Sequence, residues 1–340
     1  MIKKEKLNIA VIGATGAVGK KILEVLEKRN FPVGELRLIA SQKSVGETAF
    51  FKGVPIVIGS LSDNTFNGID IAFFSAGSEL SRKIADQAIS SGAVVIDNSS
   101  AFRNDDSVPL VIPEINPEDA FLHKGIISNP NCTTAIMLTV LHRVHKEFKI
   151  KTIVVSSYQS VSGAGYKGIS ELKSQVSDNS VTEKDTSAFP HRIAFNVIPH
   201  IDQFTSNGYT KEEIKMLDET RKILHDDSIR VSATCVRVPV VSVHSMAVNF
   251  VTEKEVSPDE VKDIISGSRG AGVLDDPQNF IYPMPVNAEG KDDCFAGRIR
   301  KDTAFDNGIS LWICGDQLLK GAALNAVQIA ELITGKNGQI

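Results

Sequence analysis

Four cysteines raise the first chemical question, because a thiol attacks, binds metal or simply packs according to its surroundings. Cys132, Cys235, Cys294 and Cys314 are widely spaced and include no CxxC pair, which argues against a disulfide framework or a zinc site. Cys132 has the distinctive context, Ser128-Asn-Pro-Asn-Cys-Thr-Thr134. Pro130 ends the preceding strand, Asn131 can cap, and apolar Ile136, Val140 and Val144 recur at helical spacing. The pattern predicts Cys132 in the first turn of a helix, where free N–H groups and the positive dipole end stabilise a thiolate. Those N–H groups can also hold a developing oxyanion. Cys235 and Cys314 fall in strand-like surroundings and Cys294 in a loop, where cysteine is more simply a packing residue. On context alone Cys132 is the candidate nucleophile, with a packing role still open.

A second constellation lies near the start of the chain. Gly13, Gly16 and Gly19 form a GxxGxxG turn between the strand-like run Leu7–Ile12 and a helical pattern of Val18, Ile22, Val25 and Leu26. Glycines there allow a tight turn and close approach of backbone to a pyrophosphate, with the helix N-terminus facing the anion. The bland alternative is a glycine-rich turn without a ligand. The next strand, Leu36–Ala40, runs into Ser41-Gln-Lys-Ser44 and meets no acid until Glu47. Hydroxyls and a lysine suit a 2′-phosphate, whereas an NAD site usually offers a carboxylate to the ribose, so NADP(H) is favoured over NAD(H). Lys43 read blandly is a solvated loop charge.

A thiolate beside a nicotinamide suggests addition to an activated acyl group or aldehyde, with hydride moving at the thioester or thiohemiacetal level. Such chemistry needs a histidine for proton transfer. Of the seven histidines, His142 and His145 lie along the helix after Cys132, and His123, His191, His200 and His225 have no second clue. His244 follows Arg237-Val-Pro-Val-Val-Ser-Val, and the expectation is one long strand carrying both Arg237 and His244. A lone strand histidine is more often structural, so this local signal is weak.

These groups need a scaffold, and the chain is long enough for two domains at 340 residues. Its first third alternates short apolar runs (Leu7–Ile12, Leu36–Ala40, Ile69–Phe74, Ala93–Ile96) with helical patterns, the signature of a parallel α/β sheet. Asp105–Asn116, with Pro109 and Pro113, reads as loop or short strand. From about Lys149 β-branched strands dominate, Lys151–Tyr158, Ser232–Val243 and Ser245–Glu253, separated by polar helical stretches such as Lys211–His225. The second domain is therefore expected to be α+β on a mixed or antiparallel sheet. Lys320–Gly335 reads as an apolar helix ended by glycine and packed back on the first domain. The expected spans are 1–131 plus 320–340 for dinucleotide binding and 132–319 for the second domain. Net charge −4 without a basic block excludes an ordinary nucleic-acid groove. No apolar run reaches the ~18 residues of a membrane span, and the opening residues lack a signal-peptide core. Composition thus predicts a soluble, cytoplasmic, two-domain enzyme with no nucleic-acid or membrane partner.

Taken together, the motifs resemble the aspartate-β-semialdehyde dehydrogenases, in particular the bacterial NADP-dependent branch. The matching pieces run through the chain: Gly13–Gly19, Asn98–Arg103, Val111–Asn116, Asn129–Thr134, Tyr158–Gly165, Phe195–His200, Glu212–Lys215, Arg237 to His244 and Lys320–Glu331. The resemblance implies a Rossmann-type NADP-binding domain, a catalytic and dimerisation domain, and reductive dephosphorylation of L-aspartyl-4-phosphate to L-aspartate-4-semialdehyde in lysine, threonine, methionine and diaminopimelate biosynthesis. It implies Cys132 as nucleophile, His244 as proton carrier, Gln159 orienting the acyl group and Asn131 assisting at the phosphate or oxyanion. Arg237 would hold the α-carboxylate, Glu212 the α-ammonium, and Arg103 and Lys215 the phosphate. Cofactor contacts would come from Gly13, Thr15, Gly16, Ala17, Val18, Ser41, Lys43 and Ser44, then from Ser162, Gly163 and Gln317. Relatives often carry Arg at the position of Lys43, which keeps the charge but loses the planar fork. The family also implies a homodimer, with pairing into tetramers as a further step. Rival readings are an N-acetyl-γ-glutamyl-phosphate reductase, whose cysteine usually follows Gly rather than Asn131, a phosphorylating glyceraldehyde-3-phosphate dehydrogenase, whose second cysteine is missing after Cys132, and a non-catalytic NADP-binding regulator.

Overall fold

Leu7–Ile12 is almost continuously apolar, and such a run is stable only with both faces covered. A computed structural model shows it as β1, a buried central strand. The structure describes residues 2–178 and 188–336; residues 1, 179–187 and 337–340, which fall within the expected domain spans, lie outside the described residues. The chain divides into two units, Met1–Asn131 with Ala322–Ile340, and Cys132–Gly321.

In the first unit the glycine turn leads from β1 into α1 (Ala17–Lys28), which buries Ile22, Leu23, Val25 and Leu26. Gly13 has φ +84, and a Cβ there would stand 2.7 Å from the Ser75 carbonyl oxygen, so only glycine fits. The chain continues through β2 (Val33–Ile39), the hairpin β3 (Thr48–Phe51) and β4 (Val54–Val57), β5 (Ile71–Phe74), α2 (Ser78–Ser90), β6 (Val94–Asp97) and β7 (Ile126–Ser128). The five-stranded sheet has order β2-β1-β5-β6-β7 with every pair parallel, which is the α/β architecture expected. Between β6 and β7 the Pro-bounded stretch is irregular. Buried Asn116 organises it, accepting from the Ile112 N–H and donating to the Leu110 carbonyl.

The second unit opens with α3 (Cys132–Phe148), whose residues from Thr133 to Leu141 are all buried. There follow β8 (Ile150–Gln159), α4 (Gly165–Ser177), α5 (Lys211–Leu224), β9 (Arg230–Arg237), β10 (His244–Thr252), α6 (Pro258–Ser266), β11 (Ala271–Val273), α7 (Pro285–Ala288), β12 (Cys294–Lys301) and β13 (Gly308–Gly315). The mixed sheet has order β11-β12-β13-β10-β8-β9. Three expectations need correction. Ser232–Val243 is not one strand: β9 ends at Arg237, Pro239 has no N–H for a ladder, and the Val240 N–H turns back to the Val238 carbonyl at 2.8 Å. Arg237 and His244 therefore sit on different strands. Cys294 is not in a loop but opens β12, fully buried and paired with Ala271 of β11. The last helix also starts differently, because Leu319–Ala323 is a π-helical turn ahead of α8 (Leu324–Thr334).

Within the first unit α8 packs against α1 and stops at Gly335, which takes φ 63. Arg29 forks onto Glu331 with two 2.7 Å hydrogen bonds, and the Glu331 side chain is 0% exposed. Asn325 donates to the Val111 carbonyl and to Asn129 Oδ1. Removing one member of a buried pair strands the other charge, so Glu331→Ala is expected to cost about 3 kcal/mol. Thermal unfolding should show a midpoint several degrees lower, whereas Lys301→Ala, at the exposed pair with Glu255, should leave it unmoved.

Candidate active site

In the first unit the turn after β1 and the end of β2 enclose a cavity of about 420 Å³. Gly13, Thr15 and Gly16 line one side and Ile39, Ala40, Ser41 and Gln42 another, with Ser60, Leu61, Ser75, Ala76 and Leu80 completing it. Ala17 and Val18 form the first turn of α1, and Gly16 stands at its N-cap. Lys43 and Ser44 follow Gln42 on a short 3-10 turn but do not line the cavity. A nucleotide fits these walls: helix N–H groups for phosphate, hydroxyls at the β2 end, and no carboxylate at the position that would repel a 2′-phosphate. Gln42, Ser60 and Ser75 escaped the sequence reading. Ser75 could have been found, because it directly follows β5, the neighbour of β1, at the carboxyl edge where open parallel sheets bind ligands. Arg103 is buried in this unit and donates to the carbonyls of Asn129 at 2.9 Å and Asn98 at 2.8 Å. Asn131, also buried, is this unit's last residue before α3.

The second unit gathers most of the chemistry. Cys132 is the first residue of α3 and is partly exposed, whereas Cys235, Cys294 and Cys314 are buried. The π-helical turn brings Gly321 against it, where a Cβ would lie 2.7 Å from the Cys132 Cβ. Burial pushes the Cys235 thiol up to about 12, with Glu212 adding to the effect, and the Cys314 thiol up to about 11. Those two stay protonated packing groups. No disulfide and no metal-holding cluster of His, Cys, Asp or Glu occurs among the described residues.

Strand register brings the remaining groups to the same sheet end. Parallel pairing of β8 with β9 sets Gln159 opposite Arg237, and antiparallel pairing of β10 with β8 sets Ser245 opposite Tyr158. His244 is thus the first residue of its strand at the edge where β8 and β9 finish. The first turn of α5 supplies Glu212, which accepts from Gln159 Nε2 at 3.2 Å. Lys215, three residues further along the same helix, reaches Glu212 at 3.2 Å and also Asp202 at 2.7 Å. Thr210 and Glu213 form a reciprocal capping box that fixes this turn, and Glu213 also accepts the Cys235 N–H at 2.9 Å, clamping α5 to β9. Arg237 donates to the Ser160 carbonyl at 2.7 Å, with the Phe189 ring 5.7 Å from its guanidinium carbon. Burial lowers its pKa from the ordinary arginine value, while the charges of Glu212 and of a Cys132 thiolate oppose that shift.

His244 is completely buried. Its Nδ1 lies 3.1 Å from both the amide and the hydroxyl of Ser160, and its Nε2 has no hydrogen-bond partner among the described residues. Burial holds its pKa well below the usual histidine range and the Arg237 charge adds to that, against an opposing backbone contact to Val243. The short 3-10 turn Val161–Ala164 carries Ser162 and Gly163. A Cβ on Gly163 would stand 2.7 Å from Arg237 Nη1 and 3.3 Å from the His244 ring, so the missing side chain leaves room beside both. Gln317 accepts the Val243 N–H at 2.8 Å and donates to the Ser162 hydroxyl at 2.5 Å. Ser160 and Val243 escaped the sequence reading. The six-stranded sheet also carries a largely apolar recess of about 320 Å³ bordered by Ala247, Tyr282, Met284, Leu311 and Trp312 together with Arg298 and Arg300, with Tyr158 packed on Trp312 at 5.3 Å between ring centres.

Comparison with known proteins identifies the family. Two family models match, semialdehyde dehydrogenase NAD binding domain over residues 8–123 and semialdehyde dehydrogenase dimerisation domain over residues 141–320. An aspartate-semialdehyde dehydrogenase of Aquifex aeolicus is 53% identical over 337 residues, covering 98% of this chain and 99% of the relative. That of Bacillus subtilis is 44% identical over 340 residues, covering 97% and 98%. A crystal structure of aspartate semialdehyde dehydrogenase II from Vibrio cholerae complexed with ASA superposes with TM-score 0.93 at 45% identity, covering 97% of this chain and 98% of that one. Two matched domains in the right order, and near-complete coverage by such relatives, place this chain in the semialdehyde dehydrogenase family, among the aspartate-semialdehyde dehydrogenases.

Proposed function

We propose that the chain catalyses the NADPH-dependent reductive dephosphorylation of L-aspartyl-4-phosphate to L-aspartate-4-semialdehyde through a thioester on Cys132. The observation that carries this reading is the neighbouring pair of opposite charges, Arg237 and Glu212, buried in the same unit as a helix-terminal thiol. An amino acid with free α-carboxylate and α-ammonium has the matching charges. An N-acetylated substrate offers nothing to Glu212, and a regulator that only binds NADP needs none of these groups.

Each residue then has a physical task. The Cys132 sulfur, as the thiolate that the start of α3 stabilises, bonds to the acyl carbon as the carbon–oxygen bond to phosphate breaks, and inorganic phosphate leaves. N–H groups at the start of α3, with Asn131, stabilise the oxyanion on the way. Arg237 holds the α-carboxylate, Glu212 the α-ammonium, and Lys215 and Arg103 bind the phosphate. Gln159 orients the acyl group. When bound, NADPH supplies the hydride that lowers the acyl oxidation level to aldehyde. Gly13, Thr15, Gly16, Ala17, Val18, Ser41, Lys43 and Ser44 would hold it, and the family resemblance adds Ser162, Gly163 and Gln317. His244 handles the proton as the sulfur–carbon bond breaks. The family model is described for NAD, so preference for NADP(H) rests on the acid-free β2 end and Lys43. A second copy of the chain would cover the apolar recess of the six-stranded sheet, giving a homodimer, and pairs of dimers are the larger assembly to look for. A thiol nucleophile with three buried reduced cysteines suits the cytoplasm.

The direct test is phosphate-dependent reduction of NADP+ with aspartate semialdehyde set against N-acetylglutamate semialdehyde. Signal with the first alone is expected; silence with both would revive the regulator. Cys132→Ala should abolish that signal while leaving NADPH binding intact by fluorescence titration. Arg237→Lys should raise KM for the semialdehyde about tenfold or more, because one ammonium cannot make a planar two-point pair. Lys43→Glu should raise KM for NADP+ about tenfold and leave KM for NAD+ nearly unchanged, read from parallel cofactor titrations.

A further inference from the structure

Ser160 follows the last residue of β8, is completely buried, and turns all its polar groups inward. Its carbonyl accepts from Arg237, and its amide and hydroxyl both lie 3.1 Å from His244 Nδ1. The direction of these hydrogen bonds can be worked out from groups whose role is not open to choice. A backbone N–H only donates, so the Val243 N–H, 2.8 Å from Gln317, fixes the Gln317 oxygen on that side and the NH₂ on the other. The NH₂ donates to the Ser162 hydroxyl, whose own hydrogen is then available to the Ser160 hydroxyl at 3.1 Å. The Ser160 hydrogen is in turn available to Nδ1. The Ser160 amide, again only a donor, faces the same nitrogen. Two donors converge on Nδ1 against the single carbonyl of Val243 beside the ring, so Nδ1 presents its lone pair to them and the hydrogen of the neutral ring stands on the buried Nε2.

We propose that Ser160 is a positioning residue that holds His244 as the Nε2–H tautomer, at the end of a one-way hydrogen-bond chain from Gln317 through Ser162. This rests on the proposed role of His244 and narrows it. With Nδ1 engaged, the neutral ring is a hydrogen donor to an oxyanion or leaving sulfur. Ser160 couples that ring to Arg237 through its carbonyl, so proton handling and carboxylate binding share one anchor.

Long-range proton–nitrogen NMR spectra of full-length protein carrying ¹⁵N-labelled histidine, without cofactor, test the tautomer directly, with His244→Gln to assign the signal. The Nε2–H pattern is expected from about pH 6 to about pH 8. An Nδ1–H pattern, with the ring donating instead to the Val243 carbonyl, would overturn the proposal. Ser160→Ala should lower kcat about tenfold with KM for aspartate semialdehyde changed less than about twofold, and should shift the Nδ1 resonance toward that of an unbonded nitrogen. Wild-type kcat in that variant would also overturn it. Should the variant fail to fold, the wild-type spectrum still decides. Absence of turnover in the wild-type protein would sink the proposed activity and leave the tautomer readable, so the two failures are distinct.

Discussion

Burying the Arg237 guanidinium is the constraint on which the second unit's site depends. Taking a cation out of water is costly unless every side of it meets a compensating group. Here the Ser160 carbonyl accepts from it, the Phe189 face lies beneath it and the Glu212 charge opposes the loss of its own. Each compensation restricts a neighbour. Ser160 must follow β8 directly for its carbonyl to reach Arg237, which also delivers its amide to His244. Gly163 must lack a side chain. Glu212 must lie in the first turn of α5, the turn that the capping box and the Glu213 clamp hold against β9.

Strand direction explains how groups far apart in sequence share one edge. β8 and β9 run parallel, so their carboxyl ends coincide and Gln159 meets Arg237. A parallel pair cannot be closed by a hairpin, and its long connection contains α5 with Glu212 and Lys215. β10 runs antiparallel to β8, so its first residue arrives where β8 ends. The connection from Arg237 to His244 must therefore reverse the chain within six residues, and Pro239 with the Val240-to-Val238 turn makes that reversal.

What was legible in the sequence was what is local. The glycine turn and the placement of Cys132 at a helix start each need fewer than ten residues to state. The parallel sheet followed from alternating apolar runs. Arg237 and His244 were misplaced onto one strand because β-branched residues fill the interval, although Pro239 stood there as a signal against it. Cys294 read as a loop residue because the acidic stretch before it hides a short pairing with β11. Ser160 offered no local sign at all: a serine between Gln159 and Val161 gains meaning only from partners near positions 237 and 244. Roles for Gln159 and Gln317 came from family resemblance, not from their own surroundings in the chain.

Val243 shows how such a distant network is held in place. A β-branched residue at φ +72 lies in a region that costs on the order of 1–3 kcal/mol, and only its surroundings can maintain it. Its N–H is bonded to Gln317 while the next residue already pairs with Gly315 in the sheet. The bend thus lets one peptide face the polar chain and the following one join the ladder. A glycine would relieve the strain but free the backbone at the position that orients His244. A relaxed extended valine would turn its N–H away from Gln317, and the Gln317 amide would lose the group that decides which way it points. The strain, the amide orientation and the hydrogen-bond direction arriving at Nδ1 are therefore one arrangement, and none of the three is defined without the others.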